Sequence, residues 1–445
     1  RSEVAAHFER DKGKVIFSAN TPEVALLPGA QDQLSVLLQL TTLLGNEPAG
    51  MAIDFASMDM LIRGGGLNWK GDPNGKLTYT SPSPKYVMNA AGVLVSGTAL
   101  RCDHDAAGNP LGVLIEEQRT NLLSRSNEFT VSPWTTSQSG VAAPVRTANA
   151  GTSPDGLNNA TKVDFPAVSG ANYSSLIQAL VAGGSAIRTH SCYVKAANPA
   201  DVGKTIYLQR GNATDFITHV LTADWVRIKT TGLTSYNDTG FYLGVAGSSN
   251  PFGVNQGACS ILMFGAQVEA GSFPTSYIPT AGSQVTRAGD DISLANSLYP
   301  FIFDEGTLVV EAAIEGENVN DNRLAVIGNA TASYRSIDLS RSSNDSILLS
   351  TVINNAQTGV GETGNKNTLG QILRAAGAYK ANDFAVCLDG GALSTDLTGS
   401  VPTTTVDNLM IGRFPPNIRY LNGHIKSLVY LPRRASNSEL QAMTA

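Results

Sequence analysis

Short segments in which apolar and polar residues alternate recur about every ten residues along this chain, separated by clusters of Gly, Asn, Asp and Pro. Residues 191–195, 205–209 and 225–229 are examples of such segments. An alternation of this kind places apolar side chains on one face of a β-strand and polar side chains on the other. The clusters between them supply the backbone angles of tight turns. The pattern predicts a mostly β protein built from sandwiches.

Length, charge and the lengths of apolar runs limit the number of domains and the kinds of partner that are expected. At 445 residues the chain exceeds what one hydrophobic core usually supports, so we expect about two or three domains. Its formal net charge of -6 opposes the phosphate-binding surface that a nucleic-acid partner requires. No run of about eighteen consecutive apolar residues occurs, so no membrane insertion is predicted.

Residues 30–44 form the one segment with a convincing helical period of apolar residues. Gly45 and Asn46 follow it as a signal that the helix ends. We expect the apolar side of this helix to be buried, either within its own domain or against copies of the chain. Residues 1–75 are therefore predicted to be an attachment or oligomerisation segment, in which the candidate oligomerisation residues are Leu34, Leu37, Leu38 and Leu44.

Two distant segments carry a resemblance to a known module. Residues 112–123 (GVLIEEQRTNLL) and 265–280 (GAQVEAGSFPTSYIPT) resemble the opening and closing strands of a jelly roll, similar to carbohydrate-binding modules, that recurs in bacteriophage tail-fibre and other virion surface proteins. Residues 86–95 and 101–105 look like the hairpin that leads into this module in phage-encoded surface proteins. The resemblance implies a jelly roll and a binding surface rather than a catalyst.

The carboxyl end carries a second resemblance. Residues 421–444 are similar to the last strand and short helix of concanavalin-A-like, laminin-G-type domains. Ser436 and Glu439 have the spacing of a capping box for that helix. The predicted organisation is thus tandem β-sandwiches after a small segment with one helix: residues 1–75 for attachment, 76–118 as a hairpin lead-in, 119–288 as the jelly roll, and 289–445 as the concanavalin-A-like module.

Acidic residues and histidines give no pattern of a catalyst. Glycan hydrolysis needs two carboxylates that flank one bond. Glu116 and Glu117 are adjacent, as are Asp290 and Asp291, and adjacent strand residues point to opposite faces. The five histidines lack the spacing of a metal or triad motif. We expect no enzyme, although a fold that gathers distant carboxylates leaves a polysaccharide depolymerase as an alternative.

Sugar recognition by such modules places an aromatic ring against the apolar face of a pyranose, with polar groups around it. The loop tyrosines Tyr236 and Tyr242 are favoured for this role, whereas Trp225 is expected to be structural. The glycan-binding candidates are Trp134, Tyr236 and Tyr242 in the first module and Tyr334, Arg335, Arg413 and Tyr420 in the second.

No metal site or cofactor is predicted. Residues 103–109 resemble the first half of a calcium loop, but Glu116 comes two residues too late to complete it, so a hairpin with side-chain turn bonds is favoured. The resemblance to jelly-roll and laminin-G modules still allows a structural calcium ion. The four scattered cysteines are expected to be buried thiols, with one disulfide across a sandwich as the alternative.

Together the two resemblances imply a structural protein of a bacteriophage virion, exposed on the tail or on the capsid exterior. The function they favour is that of a tail fibre or receptor-binding protein that attaches to host-surface glycans. A capsid-anchored head fibre or decoration protein would use the same modules. The implied partners are copies of the chain in a homotrimer, other virion proteins contacted by the N-terminal segment, and host cell-surface polysaccharide.

Overall fold

The structure is a computed structural model that describes residues 6–9, 14–17, 49–64, 67–81, 83–210, 216–230, 236–317, 321–329, 335–354, 356–403, 407–414 and 419–445. Within these residues strands predominate, and α1 (Asn437–Thr444) is the single α-helix. The prediction of a mostly β protein is confirmed. The helix expected over residues 30–44, with Leu34, Leu37, Leu38 and Leu44, lies outside the described residues. No described helix has the length and apolar content needed to cross a membrane.

The strands follow one another in chain order as β1 (Ala6–Glu9), β2 (Lys14–Phe17), β3 (Gly50–Asp54), β4 (Asp59–Gly64), β5 (Leu67–Gly71), β6 (Thr78–Thr80), β7 (Lys85–Met88), β8 (Leu94–Gly97), β9 (Cys102–His104), β10 (Pro110–Ile115), β11 (Arg119–Asn121), β12 (Thr135–Ser139), β13 (Val145–Gly151), β14 (Ala160–Phe165), β15 (Tyr173–Ala186), β16 (Arg188–Ala196), β17 (Thr205–Arg210), β18 (Phe216–Val220), β19 (Val226–Lys229), β20 (Tyr236–Ala246), β21 (Cys259–Ala270), β22 (Val285–Arg287), β23 (Asp291–Ala295), β24 (Glu305–Ile314), β25 (Asn322–Asn329), β26 (Arg335–Arg341), β27 (Ser346–Ile353), β28 (Ala356–Lys366), β29 (Ile372–Lys380), β30 (Phe384–Leu388), β31 (Ser394–Asp396), β32 (Asn408–Ile411) and β33 (Gly423–Leu431).

The larger sandwich is built from two antiparallel sheets. One has the strand order β31-β30-β29-β24-β33-β3-β4-β5, with β10 beside β33 and β9 beside β10. The other has the order β28-β27-β26-β25-β32-β23-β6. Alternate residues of both sheets point inward, as for Leu308 and Leu428 in one sheet and Ile327 and Leu339 in the other, and they form one apolar core.

Strand β33 brings strands from before and after the jelly roll into one sheet. Along one edge it pairs with β24, and along the other it pairs with both β3 and β10. The close approach of β10 requires glycine at residue 112, because a Cβ there would lie 2.2 Å from the carbonyl oxygen of Ile425 and φ is +101°. Strands β3–β6, β9 and β10 thus share a sandwich with strands β23–β33, so its sheets include strands from both sides of residues 75 and 118.

The jelly roll lies between these two parts of the chain. Its sheets have the orders β12-β15-β20-β17-β18 and β13-β14-β21-β16-β19, and they enclose a separate core that includes Val163, Leu176 and Leu243. Strand β11 pairs with β22 where the module begins and ends. The hairpin of β7 and β8 covers the outward face of the second sheet with Tyr86 and Leu94, among other residues.

Asn121 joins the two segments that resemble the known module. Its Nδ2 donates to the carbonyl oxygens of Ala266 at 3.2 Å and Ile278 at 2.9 Å. Its Oδ1 accepts from the backbone N–H groups of Leu123 at 3.1 Å and Val268 at 3.2 Å. The amide is fully buried, so these four bonds satisfy groups that would otherwise be buried without partners. The resemblance therefore rests on residues that close the module.

The predicted capping box at the start of α1 is confirmed. The Ser436 hydroxyl accepts from the Glu439 N–H at 3.3 Å, and the Ser436 N–H donates to Glu439 Oε2 at 2.6 Å. Arg433 adds a hydrogen bond of 2.8 Å to Glu439 Oε1. These bonds lower the pKa of Glu439 to about 2, so the cap stays ionised. The helix packs beside β29 and β30.

A buried group of ionised side chains joins the jelly roll to the larger sandwich. Asp290 accepts from Lys85 Nζ at 2.8 Å, from the Tyr79 hydroxyl at 2.9 Å and from the Glu116 N–H at 2.8 Å. Arg287 lies 3.1 Å from the carboxylate of Glu116. Burial alone would lower the pKa of Arg287, but the Glu116 and Asp290 carboxylates raise it. Two cations and two anions thus balance each other out of water.

Glu116 reaches further into the closing segment of the jelly roll. Its carboxylate accepts from the N–H of Ser276 at 2.6 Å and from the Ser276 hydroxyl at 2.7 Å. Glu116 and Asp290, which the sequence presented as halves of adjacent carboxylate pairs, are therefore occupied with protein partners at the junction.

Replacing Lys85 by Met should lower the free energy of unfolding by about 3 kcal/mol, because it leaves the buried Asp290 carboxylate short of one cation. The matched control is Lys380→Met, since Lys380 is more than half exposed and lies 3.6 Å from Glu305. That change should cost less than about 1 kcal/mol. Denaturation with urea measures both; equal losses for the two variants would contradict the role given to the junction.

His424 ties the lead-in segment to β33. Its Nε2 lies 2.9 Å from Asp103 Oδ2, and its Nδ1 lies 3.1 Å from Glu315 Oε1. Burial by itself lowers the pKa of His424, but its hydrogen bonds to the carboxylates of Asp103 and Glu315 raise it to about 9. The imidazolium therefore persists at neutral pH and donates to both partners.

The stability that His424 contributes should depend on pH. The folded pKa of about 9 exceeds the ordinary value of 6.5, so this contribution is complete below pH 6.5 and is lost as the pH rises through about 9. It amounts to at most about 3 kcal/mol. The unfolding free energy of His424→Gln should fall less between pH 6 and pH 10 than that of the unmodified chain. The control His219→Gln changes a histidine with a lowered pKa and should keep the full decline.

Candidate functional site

The outward face of the first jelly-roll sheet carries an aromatic cluster at its centre. In β20 the residues Phe241, Leu243 and Val245 face the core, so Tyr242 and its alternate neighbours face outward. The strand register places Tyr242 beside Ile177 of β15 and Gln209 of β17. The same alternation directs Tyr173 and Tyr207 to this side of the sheet.

Five rings gather on this face: Tyr173, Tyr207, Phe216, Tyr242 and Phe252, which we call the aromatic face. The ring centroids of Tyr207 and Phe252 are 4.4 Å apart, and those of Phe216 and Phe252 are 5.2 Å apart. Tyr207 and Phe252 are buried within the cluster, whereas the other three rings are half-buried and present part of their surface. The cluster therefore has a packed base with rings available above it.

Hydroxyl groups lie beside these rings. The hydroxyls of Tyr173 and Ser137 are 3.3 Å apart, and those of Tyr242 and Thr239 are 3.2 Å apart. The Ser175 hydroxyl donates to the carbonyl oxygen of Ser137 at 3.0 Å. Apolar ring surface next to hydroxyl donors and acceptors is the combination that a sugar ring can use.

The described residues of the aromatic face carry no charged side chain. In the described parts of the five strands, the outward positions within 135–139, 173–179, 205–209, 216–220 and 240–246 hold no Asp, Glu, Lys or Arg. Burial raises the pKa of Tyr207 to about 12, with a smaller opposing effect from its hydrogen bond to Ser175. The tyrosine there stays protonated at physiological pH. Such a surface favours ligands recognised by ring contact and hydroxyls over ligands recognised by charge.

Of the residues predicted to bind glycan, Trp134 lies in the core of the jelly roll and not at its surface. Its side chain is 3% exposed, and its ring lies against Phe129 at 5.0 Å and Phe241 at 5.7 Å. Its Nε1 donates to the carbonyl oxygen of Arg125 at 2.9 Å. The indole has no open face on which a sugar could stack, which corrects that assignment.

Tyr242 reaches the surface, but from the middle of strand β20 rather than from a loop. Tyr236 is the first residue of the same strand, and its side chain is not among those described. Trp225 is half-buried on the other side of the module, where its Nε1 donates to Thr152 at 3.2 Å and its ring lies 5.4 Å from Lys195 Nζ.

The described candidates in the second module, Arg335, Arg413 and Tyr420, do not form one open surface. Arg413 pairs with Asp291 at 2.6 Å, and Tyr420 is 6% exposed in the core of the sandwich, so its ring is closed to a ligand. Arg335 begins β26 opposite Asn329 and Ile353, whereas Tyr334 lies outside the described residues. The described residues therefore favour the jelly roll as the location of the site.

The structure adds Tyr173, Tyr207, Phe216 and Phe252 to the site. Tyr173 and Phe216 are first residues of their strands, where alternation is too short to fix a face. Phe252 lies in the loop after β20, which turns back so that the Val254 N–H donates to Ala246 at 2.8 Å. No periodic signal in the sequence marks a loop residue that folds onto a sheet.

The segment that resembled half of a calcium loop forms a turn. Asp105 Oδ1 accepts from the N–H groups of Ala107 and Asn109, each at 2.8 Å. Asp103 accepts from the Met88 N–H at 2.7 Å and from His424. Among the described residues, no group of three or more His, Cys, Asp or Glu is arranged to hold a metal ion. All four cysteines are free thiols, so the alternative of a disulfide is wrong.

Replacing Phe252 by Ala should lower the pKa of Tyr207 from about 12 towards its ordinary value, by at least about one unit, because the change uncovers the phenol. NMR titration of ring-labelled tyrosine measures this shift. The control Phe273→Ala removes a buried ring of the closing segment and should leave Tyr207 unchanged. If Tyr207 titrated identically in the Phe252 variant, the loop would not cover it in solution.

Comparisons with known proteins give matches at the level of structure alone. No protein-family model and no curated protein matches the chain. Similar solved structures include the carbohydrate-binding module of a Ruminococcus gnavus sialidase bound to α2,3-sialyllactose (18% identity, 32% of this chain, 84% of that chain, TM-score 0.28). Another is domain 4 of a Geobacillus stearothermophilus arabinanase in complex with arabinotriose (14% identity, 39% of this chain, 83% of that chain, TM-score 0.30). A third is Trypanosoma rangeli sialidase, with 18% identity and a TM-score of 0.28. The match covers 34% of this chain and 25% of the sialidase chain. At these TM-scores the similarity supports no conclusion about function.

Proposed function

We propose that this chain is a structural protein of a bacteriophage virion, a tail fibre or receptor-binding protein, which attaches to host-surface glycans through its aromatic face. The observation that carries glycan binding is the open, uncharged cluster of Tyr173, Phe216 and Tyr242 with hydroxyls beside it. The resemblance of residues 112–123 and 265–280 to a module of virion surface proteins supports the virion assignment.

The chemistry of the face fits a pyranose ring. One side of such a ring exposes C–H groups, which gain free energy when an aromatic ring removes them from water. Its hydroxyls must then find partners, and the hydroxyls of Tyr173, Tyr242 and Ser137 lie at the edge of the ring cluster. A rigid sheet holds these groups, so little conformational entropy is lost on binding.

Binding without cleavage fits this face best. Hydrolysis of a glycosidic bond needs a pair of carboxylates at the bond, and the described outward positions of this sheet hold none. Glu116 and Asp290 are occupied at the junction instead. A polysaccharide depolymerase remains the competing function and predicts new reducing ends in the ligand.

The single changes Tyr173→Ala and Tyr242→Ala should each weaken binding to host-envelope polysaccharide by at least about tenfold, because each removes a ring from the aromatic face. The matched controls, Tyr173→Phe and Tyr242→Phe, keep the ring and should lose less. Surface plasmon resonance on immobilised polysaccharide measures affinity, and an assay of reducing ends on the same samples measures cleavage.

Each result of this experiment has a distinct meaning. Full binding by folded alanine variants would remove the aromatic face from the proposal. Cleavage of the polymer would establish the depolymerase instead, and absence of both binding and cleavage would favour a structural head fibre or decoration protein. Immunogold labelling of virions distinguishes a tail from a capsid position, and light scattering tests the proposed homotrimer, which a monomer at micromolar concentration would exclude.

A further inference from the structure

A concave surface lies on the opposite side of the jelly roll from the aromatic face. It is a cleft of about 710 Å³ against the outward side of the second sheet, which is within the size range of small-ligand sites. Three segments form it: residues 126–128 after β11, residues 155–159 between β13 and β14, and residues 279–285 of the closing segment. The hairpin residue Tyr86 completes its wall.

The floor of the cleft is aromatic and rigid. The rings of Tyr86 and Tyr277 are 5.3 Å apart, and those of Phe264 and Tyr277 are 5.1 Å apart. The Tyr277 hydroxyl lies 2.7 Å from the Ser126 hydroxyl, which also accepts from the Thr280 N–H at 2.8 Å. At the rim Leu157 is 61% exposed, although an apolar side chain of this size gains from burial.

Two buried polar atoms of this cleft lack partners. Asn127 Oδ1 and the Thr280 hydroxyl oxygen have no hydrogen-bond partner among the described residues, and Thr280 as a whole is only 5% exposed. Leaving a buried acceptor unsatisfied costs about 1–3 kcal/mol. A ligand that donates hydrogen bonds would recover that free energy, provided that these side chains turn towards it.

The charge of the cleft decides which donors suit it. Among the described residues that line it are the carboxylates of Glu128 and Asp155 and no Lys or Arg. Glu128 is paired with Arg125, whereas Asp155 accepts from the Leu157 N–H and from Asn159 Nδ2, each at 3.0 Å. Anionic ligands would meet the negative charge of Asp155, whose donors here carry no charge. Neutral hydroxyl donors would meet acceptors and an apolar rim.

We infer that this cleft is a second saccharide-binding site, selective for neutral over acidic sugar units. The inference rests on the proposed glycan attachment and assigns it an additional place and a ligand class. Because the cleft and the aromatic face lie on opposite sides of one module, a single chain can contact two glycan segments at once. Simultaneous contacts of this kind raise the overall affinity for a polymer without any new contact at either site.

The test uses the full chain and isothermal titration calorimetry with maltotetraose, cellotetraose and tetraacetylchitotetraose, and with tetragalacturonic acid as the acidic probe. Ser283→Trp fills the rim of the cleft and Leu157→Ala removes its exposed apolar side chain; both positions are exposed, so folding should be retained. The matched controls are Ser343→Trp and Leu397→Ala, at exposed positions of the second module. Each variant is also made in a Tyr173→Ala/Tyr242→Ala background, which isolates the cleft.

We expect at least one neutral probe to bind in that background, with a loss of at least about tenfold in Ser283→Trp and a smaller loss in Leu157→Ala. The controls should bind as the parent does, and the acidic probe should bind at least about tenfold more weakly than the neutral one. Binding that survives both cleft variants, preference for the acidic probe, or no neutral binding in the isolating background would each overturn the inference. If substitution of Tyr173 and Tyr242 by itself abolishes binding, the proposed glycan attachment is supported and the cleft is not a binding site. If the cleft variants by themselves abolish binding, the aromatic face is not a binding site.

Discussion

The balanced buried charges at Asp290, Lys85, Arg287 and Glu116 set the condition on which the rest of this structure depends. Each charge would be costly out of water without its partners, so the three segments that supply them must meet at one place. That meeting fixes the β7–β8 hairpin, the start of the jelly roll and its closing segment, which leads into β23, relative to one another. The aromatic face and the cleft of the jelly roll therefore hold a defined orientation towards the larger sandwich.

The sequence predicted those parts of the fold that local patterns determine. Alternation and turn clusters indicated the strands, and the Ser436 and Glu439 spacing indicated the capped helix, because each depends on residues close in the chain. The partnership of β3 and β10 with β33 was not predictable in this way. It joins residues separated by more than three hundred positions, and no local pattern specifies which edge a strand will occupy.

In the candidate site, too, local sequence predicted some features, whereas contacts between distant parts of the chain decided others. Tyr242 was recognised from its residue type, but whether an aromatic side chain faces solvent depends on the partner sheet, and this is why Trp134 was assigned to the surface although it lies in the core. The residues carrying the family resemblance, such as Asn121 and Glu116, bind backbone and side-chain groups within the protein. Their pattern reports how the module closes, whereas ligand preference depends on less regular positions around it.

Because β33 pairs with β24, β3 and β10, the sheet that contains them cannot be completed until β33 has been synthesised. A ribosome releases the chain from its amino end, and β3 and β10 have no sheet partner in β33 until residues 423–431 emerge. The jelly roll, by contrast, is contiguous between residues 119 and 287 and can complete its own core much earlier. We therefore expect the middle of this chain to fold first, while the edges of β3 and β10 that pair with β33 stay exposed until β33 has been synthesised.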